Sequence, residues 1–198
     1  KTFRVVIIVA PMKTQSLITW LELSESAYRS NLSFFKSLLR PETEFSVVIK
    51  SNAYGHGMLE IAGLAIRHGA DSFCVHSLEE ALELRRNDFH QDVLIMGPVL
   101  LSRLDEVVEN NLRVVLYNME SLYQLQKSAR KFKKKARIHL KLETGTYRQG
   151  IIATDLPNFL KEAGQSDYIS IEGAYTHFAN IEDTTNHDYA YRQLEIFQ

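Results

Sequence analysis

Lys50 follows the run FSVVI, and the next residues, SNAYGHG, bring a tyrosine, a histidine and two glycines close to its amine. A lysine whose stem passes along apolar side chains is costly to keep charged. Its pKa tends to fall, and a neutral amine becomes free to condense with a carbonyl. Gly55 and Gly57 permit close approach of backbone to a ligand, and the Tyr54 hydroxyl can meet a phosphate oxygen. His56 adds a titratable ring to the same loop. Taken singly, Lys50 also fits a strand-end lysine reaching out to water. The density of functional groups around it argues for more.

Four further positions carry candidate chemistry. His76 follows SFCV, the stretch HLKLETGTYRQG contributes Lys141, Glu143 and Arg148, and His177 closes GAYT. A guanidinium is permanently charged and presents a fixed fork to carboxylates, so Arg148 suits an anionic substrate, with a surface ion pair as the plainer alternative. His177 alone, closing an apolar strand, reads more readily as a satisfied core histidine. Lys141, if it points inward, needs an acidic partner, and Glu143 is too near in sequence to settle which one.

The elements that must position these groups follow from periodicity. TWLELSESAYRSNLSFFKSLLR spaces Leu23, Ala27, Leu32, Phe35 and Leu38 or Leu39 as a helix, with Ser24 or Ser26 as N-cap and Pro41 as the stop. Strands are then expected at 45–50, 72–77, 92–97, 113–118, 137–143 and 168–178, each followed by an amphipathic helix or a loop and helix. Near-continuous apolar strands alternating with helices predict a parallel sheet covered by helices. In such arrays, functional residues gather at the carboxyl ends of the strands, where all the candidates stand. A (β/α)8 barrel needs eight such units and about 250 residues, so this α/β chain reads as an incomplete one.

Composition narrows the partners. Lys and Arg total 23 against 24 Asp and Glu, a net charge of −1 that gives no reason to expect nucleic acid or an anionic membrane. The lysine run KFKKK reads as a solvated helix end. With 45% hydrophobic residues and no apolar run of about 18 residues, a soluble globular protein is expected. Cys74 is the single cysteine, which excludes an internal disulfide and cysteine metal clusters and suits a reducing compartment. The opening KTFRVVIIVAPMK is too short in its apolar part for a secretory signal, and Met12 is an alternative start. Residues 1–11 therefore read as an upstream extension and 12–198 as a partial barrel.

VVIKSNAYGHG resembles the signature of the alanine racemase family, whose lysine holds pyridoxal 5′-phosphate covalently. ITWLELSESAYRSNL is similar to that family's opening helix, HLKLETGTYRQG to its strand-five motif and GAYTHFAN to its strand-six motif, in the family's order. The resemblance implies a TIM-type barrel in which Lys50 carries the cofactor and serves as base on one face of the substrate α-carbon. Tyr54 would hydrogen-bond the cofactor phosphate, and His177 would lie under the pyridine ring. Arg148 would sit beside the phenolic oxygen and hold the substrate carboxylate. Lys141 matches a lysine that some members carry as a carbamate, where it orients the arginine. No metal is implied.

The implied activity is 1,1-proton transfer between L- and D-alanine in a cytoplasmic homodimer, supplying D-alanine for peptidoglycan. The family commonly has aspartate at the Glu143 position and Met-Gly at Thr146–Tyr147, so Tyr147 adds bulk near the site. The family's opposite-face tyrosine lies in a C-terminal β-domain expected beyond Gln198, and the 198-residue segment alone is expected to be inactive. A non-enzymatic barrel that binds pyridoxal 5′-phosphate is the alternative.

Overall fold

In the computed structural model, residues 4–6, 20–182 and 185–198 are described, and Met12 lies outside them. Arg4–Val6 (β1) pairs antiparallel with Glu22–Ser24 (β2). The Ser24 side chain then accepts from the Ala27 N–H at 3.3 Å and starts α1, Glu25–Ser37. Capping removes one of the orphaned N–H groups of a helix start, so the serine in LSESA sets where the helix begins. The chain divides into two compact units, residues 1–93 and 94–198.

In the first unit, β3 (Ser46–Val48) runs parallel to β4 (Ser72–Val75). Between them lie the short turn α2 (Lys50–Tyr54) and the helix α3 (Met58–Arg67). Phe73 and Val75 are fully buried, as is Ile49 just after β3. The helix α4, Leu78–Arg86, opens with a full capping box in which Ser77 and Glu80 satisfy each other's backbone.

β5, Asp92–Ile95, begins at the end of this unit. In the second unit, β5, β6 (Arg113–Leu116), β7 (Ala136–Lys141) and β8 (Ile169–Tyr175) pair in chain order, all parallel. Their connections hold α5 (Leu104–Glu109), α6 (Met119–Phe132) and α7 (Leu156–Gly164), and α8 (Asp188–Phe197) follows β8. The fold is therefore α/β, a (β/α)8-type barrel incomplete in this segment, with six βα steps after one leading helix.

All six strands end earlier than the sequence reading expects, and two of these ends bear on the candidate residues. The strand expected at 45–50 stops at Val48, because Lys50 already belongs to the following turn. The strand expected at 137–143 stops at Lys141, and Leu142 makes only an isolated bridge to Ile151. On α1 only Leu32 is buried, while Phe35 and the C-cap residue Leu38 are exposed by more than half. The KFKKK run does end a helix, with Lys133 in the left-handed conformation as C-cap. No described helix is long and apolar enough to cross a membrane.

Strand faces in the second unit are sharply divided. Ala136, Ile138 and Leu140 alternate along β7 and are buried against the helices. The opposite face presents Arg137, His139 and Lys141 in the same strand, so the sheet has an apolar side and a polar side. At the start of the polar side, Glu172 accepts from Arg113 Nε at 2.8 Å and from Arg137 Nε at 2.7 Å, one carboxylate oxygen for each. Burial pushes the Glu172 carboxyl up, but Arg137 and Arg113 together outweigh it and hold the group below its usual value.

The sign of the pH dependence follows. A carboxyl lowered on folding contributes fully at neutral pH, and the contribution fades as pH falls below the unfolded value of about 4.3. Glu172→Gln should cost about 1–3 kcal/mol at pH 7, as expected for charged hydrogen bonds. Urea unfolding at pH 7 and at acid pH should show the difference shrinking at the lower pH.

Candidate active site

In the first unit the backbone reverses hand immediately after Lys50. Ser51, Asn52 and Ala53 have φ of 53°, 54° and 50°, and Tyr54 has φ of 55°. Four consecutive L-residues in this region cost about 1–2 kcal/mol each, so other bonds must hold the turn. The Ser51 N–H donates to Glu80 Oε1 at 2.6 Å. The same carboxylate accepts from the N–H groups of His76 at 2.7 Å and Ser77 at 3.1 Å. Asn52 Oδ1 accepts from the Met58 N–H at 2.8 Å, satisfying the start of α3, and Ala53 N–H donates to Ile49 O at 2.9 Å. Gly55, at φ 92°, ends the reversed turn at a conformation other residues rarely adopt, and a Cβ there would meet open space.

This turn presents two of the sequence candidates. Lys50 is half-buried, and its Nζ lies 6.0 Å from the centre of the Tyr54 ring. Tyr54 is 62% exposed, which leaves its hydroxyl accessible. His56 is occupied locally: its Nδ1 lies 2.8 Å from the Ala53 carbonyl, where it must donate. His76 is exposed, and its backbone joins the Glu80 cluster.

The second unit brings the others onto two adjacent loops. Lys141 is buried at the end of β7, with Nζ 4.3 Å from the centre of the Tyr175 ring. Glu143 turns its carboxylate into the following loop, where Oε1 accepts from the N–H groups of Gly145 at 2.6 Å and Thr146 at 2.7 Å. Burial raises the Glu143 carboxyl, but the backbone N–H groups of Gly145, Tyr147, Thr146 and Arg148 together hold it below its usual value. An anion wrapped by successive amides in this way fixes the loop's shape. Tyr147 sits at φ 52° and is 88% exposed, so the turn carries an aromatic residue in the left-handed region. Gly150 closes the loop where a Cβ would fall 2.6 Å from the Glu143 nitrogen, which excludes any side chain.

Arg148 is exposed on this loop, and its guanidinium makes no ion pair among the described residues. His177 follows β8, and the two loops meet: Thr144 Oγ1 lies 2.7 Å from Thr176 Oγ1, and Thr146 Oγ1 donates to His177 O at 3.3 Å. Among the described residues no cluster of three or more metal-ligating side chains occurs.

Glu80 and Gln193 escaped the sequence reading. Glu80 is spelled out as the fourth residue of the box SLEE, a helix-start signature that could have been read. Gln193, buried in α8, has no such mark. Glu143→Gln preserves shape and an acceptor while removing the charge the four amides hold. About 1 kcal/mol of stability should be lost at pH 7. Denaturant titrations should show that loss fading below about pH 4, because the contribution of a lowered carboxyl disappears as it protonates. A loss equal at both pH values would exclude charge as the cause.

Comparison with known proteins agrees with this architecture. The family described as alanine racemase, N-terminal domain, matches residues 23–198. The alanine racemase of Methanococcus maripaludis is 33% identical over 178 residues, covering 89% of this chain and 47% of the relative. That of Listeria monocytogenes is 34% identical over 182 residues, covering 91% and 48%. Among solved structures, alanine racemase from D-cycloserine producing Streptomyces lavendulae superimposes with a TM-score of 0.81 at 29% identity, over 87% of this chain and 46% of that one. A histidine racemase from Leuconostoc mesenteroides gives 0.80 at 28% identity, over 88% and 46%. The chain thus spans about half the length of the relatives it matches. It belongs to the alanine racemase N-terminal domain family.

Proposed function

We propose that the full-length protein is an amino-acid racemase that interconverts L- and D-alanine with pyridoxal 5′-phosphate, using Lys50 as the cofactor-holding residue and as one proton carrier. The observation that supports this most is the strained turn at 51–54, which the Glu80 carboxylate anchors directly after Lys50. Backbone strain of this kind persists where surrounding structure enforces it, commonly at functional sites. The residues present fit such a cofactor: an amine free of ion pairs among the described residues, an accessible tyrosine hydroxyl four positions on, and an exposed guanidinium in the second unit. When bound, the cofactor supplies an aldehyde and a sink for the electrons of the substrate α-carbon.

The roles of the side chains follow from their chemistry. Lys50 Nζ takes or returns the α-proton on one face of the substrate. Tyr54 donates its hydroxyl hydrogen to phosphate oxygen. With the cofactor bound, Arg148 would hold the substrate carboxylate and contact the phenolic oxygen, His177 would support the pyridine ring, and Lys141 would orient the arginine. The second proton carrier, on the opposite face, belongs to the complete homodimer. Alanine, the substrate named for the relatives, is the substrate in this reading, and D-alanine for peptidoglycan is the product in the cytoplasm.

The test uses the full-length protein in deuterium oxide with L-alanine. D-alanine carrying deuterium at the α-carbon should form, and borohydride reduction should fix the cofactor on the peptide containing Lys50. Lys50→Ala should abolish both. Arg148→Lys should raise KM for alanine by roughly 10- to 100-fold, as loss of a charged forked contact implies, with little change in Tm. Cofactor fixed on Lys50 without α-proton exchange would instead support a non-enzymatic cofactor-binding barrel.

A further inference from the structure

Gln193 is 1% exposed, an unusual burial for a residue with two donors and an acceptor. All three functions are used. Its Oε1 accepts from the Ala179 N–H at 2.7 Å, and its Nε2 donates to Thr144 Oγ1 at 3.2 Å and to His177 O at 3.1 Å. The orientation of the amide is dictated by its partners, since a backbone N–H only donates and a carbonyl only accepts. One side chain on α8 therefore grips the loop after β7 and the loop after β8 together.

The surroundings tighten this grip. The His177 carbonyl receives a second donor from Thr146 Oγ1, so both of its lone pairs are engaged and the backbone carrying the imidazole is fixed from two sides. Tyr189, one turn earlier on α8, donates its hydroxyl to Gly145 O at 2.6 Å. Gly145 leaves no room for more, because a Cβ there would lie 2.7 Å from the Tyr189 oxygen and 3.3 Å from Gln193 Cγ. Helix α8 thus seats directly on the turn that Glu143 shapes and that carries Arg148. A fully satisfied buried network holds one arrangement of its members, whereas a partly satisfied one is costly.

We infer that Gln193 is a positioning residue that fixes the Arg148-bearing turn and the His177-bearing segment in one relative placement. The inference rests on the racemase reading above and deepens it, for the amide touches neither substrate nor cofactor. Gln193→Leu, of similar volume, removes all three bonds. Gln193→Glu keeps the acceptor for Ala179 and loses both donors.

In the full-length holoenzyme, Gln193→Leu should lower kcat roughly 10- to 100-fold, the effect of misplacing groups by a fraction of an ångström to an ångström. It should also alter the circular dichroism of the cofactor's visible band, while borohydride still labels Lys50 completely. Gln193→Glu should fall between Gln193→Leu and the parent, and it carries the test if the leucine variant does not fold. Leu125→Ala, a buried change in α6, serves as the control for stability loss alone. The inference is overturned if kcat and dichroism stay at parental values, or if they change no more than in Leu125→Ala at matched Tm. Failure of the racemase reading shows separately, as absence of α-proton exchange and of labelling in the unsubstituted protein, and it removes the proposed role of Gln193 as well.

Discussion

Three backbone N–H groups, those of Ser51, His76 and Ser77, converge on the Glu80 carboxylate, and the placement of Lys50 depends on that convergence. The first of them acts with the Asn52–Met58 and Ala53–Ile49 bonds to hold the chain in the left-handed region immediately after the lysine. The cost of four such residues, several kcal/mol, is comparable with a large part of a domain's net stability. Glu80 also starts α4, so one carboxylate fixes the beginning of a helix and the beginning of the left-handed turn. The amine at position 50 is therefore placed by α4, a rigid element, as well as by β3.

The second unit solves the same problem with different groups. A carboxylate from the chain itself, Glu143, is wrapped by the loop's own amides, while an amide from α8, Gln193, ties that loop to the next. In both units the side chains proposed to meet ligand sit on loops, and polar groups that meet no ligand give those loops their shape. The polar face of the sheet beneath follows the same logic, with the Glu172 carboxylate neutralising one of two arginines and bonding both. Charged residues so placed are affordable only when paired.

Much of the fold was legible in the sequence because the βα alternation writes itself in hydrophobic period: all six expected strands and the helices that follow them are present. The ends were less legible. Lys50 and Glu143 were read as strand residues, yet each begins a loop whose geometry is set by partners distant in sequence or by the loop's own amides. α1 misled in another way, since its apolar spacing is regular but only Leu32 finds cover. Of the candidate site, Lys50, Arg148 and His177 were singled out through the motifs that contain them. His56 was visible as a residue type but not in its local duty to Ala53. Gln193 could not be found, because a glutamine in an amphipathic helix looks the same on either face until the packing is known.

The stretch from Ser51 to Tyr54 is a short piece of mirror-image helix, and this determines what evolution or an engineer can write there. Handedness is screened before size or polarity. Valine, isoleucine and threonine are shut out by the branch at Cβ, which crowds the neighbouring carbonyl at these angles. Asparagine at 52 is among the few side chains at ease in this basin, and an inverted stereocentre at Ala53 would find there its natural resting conformation.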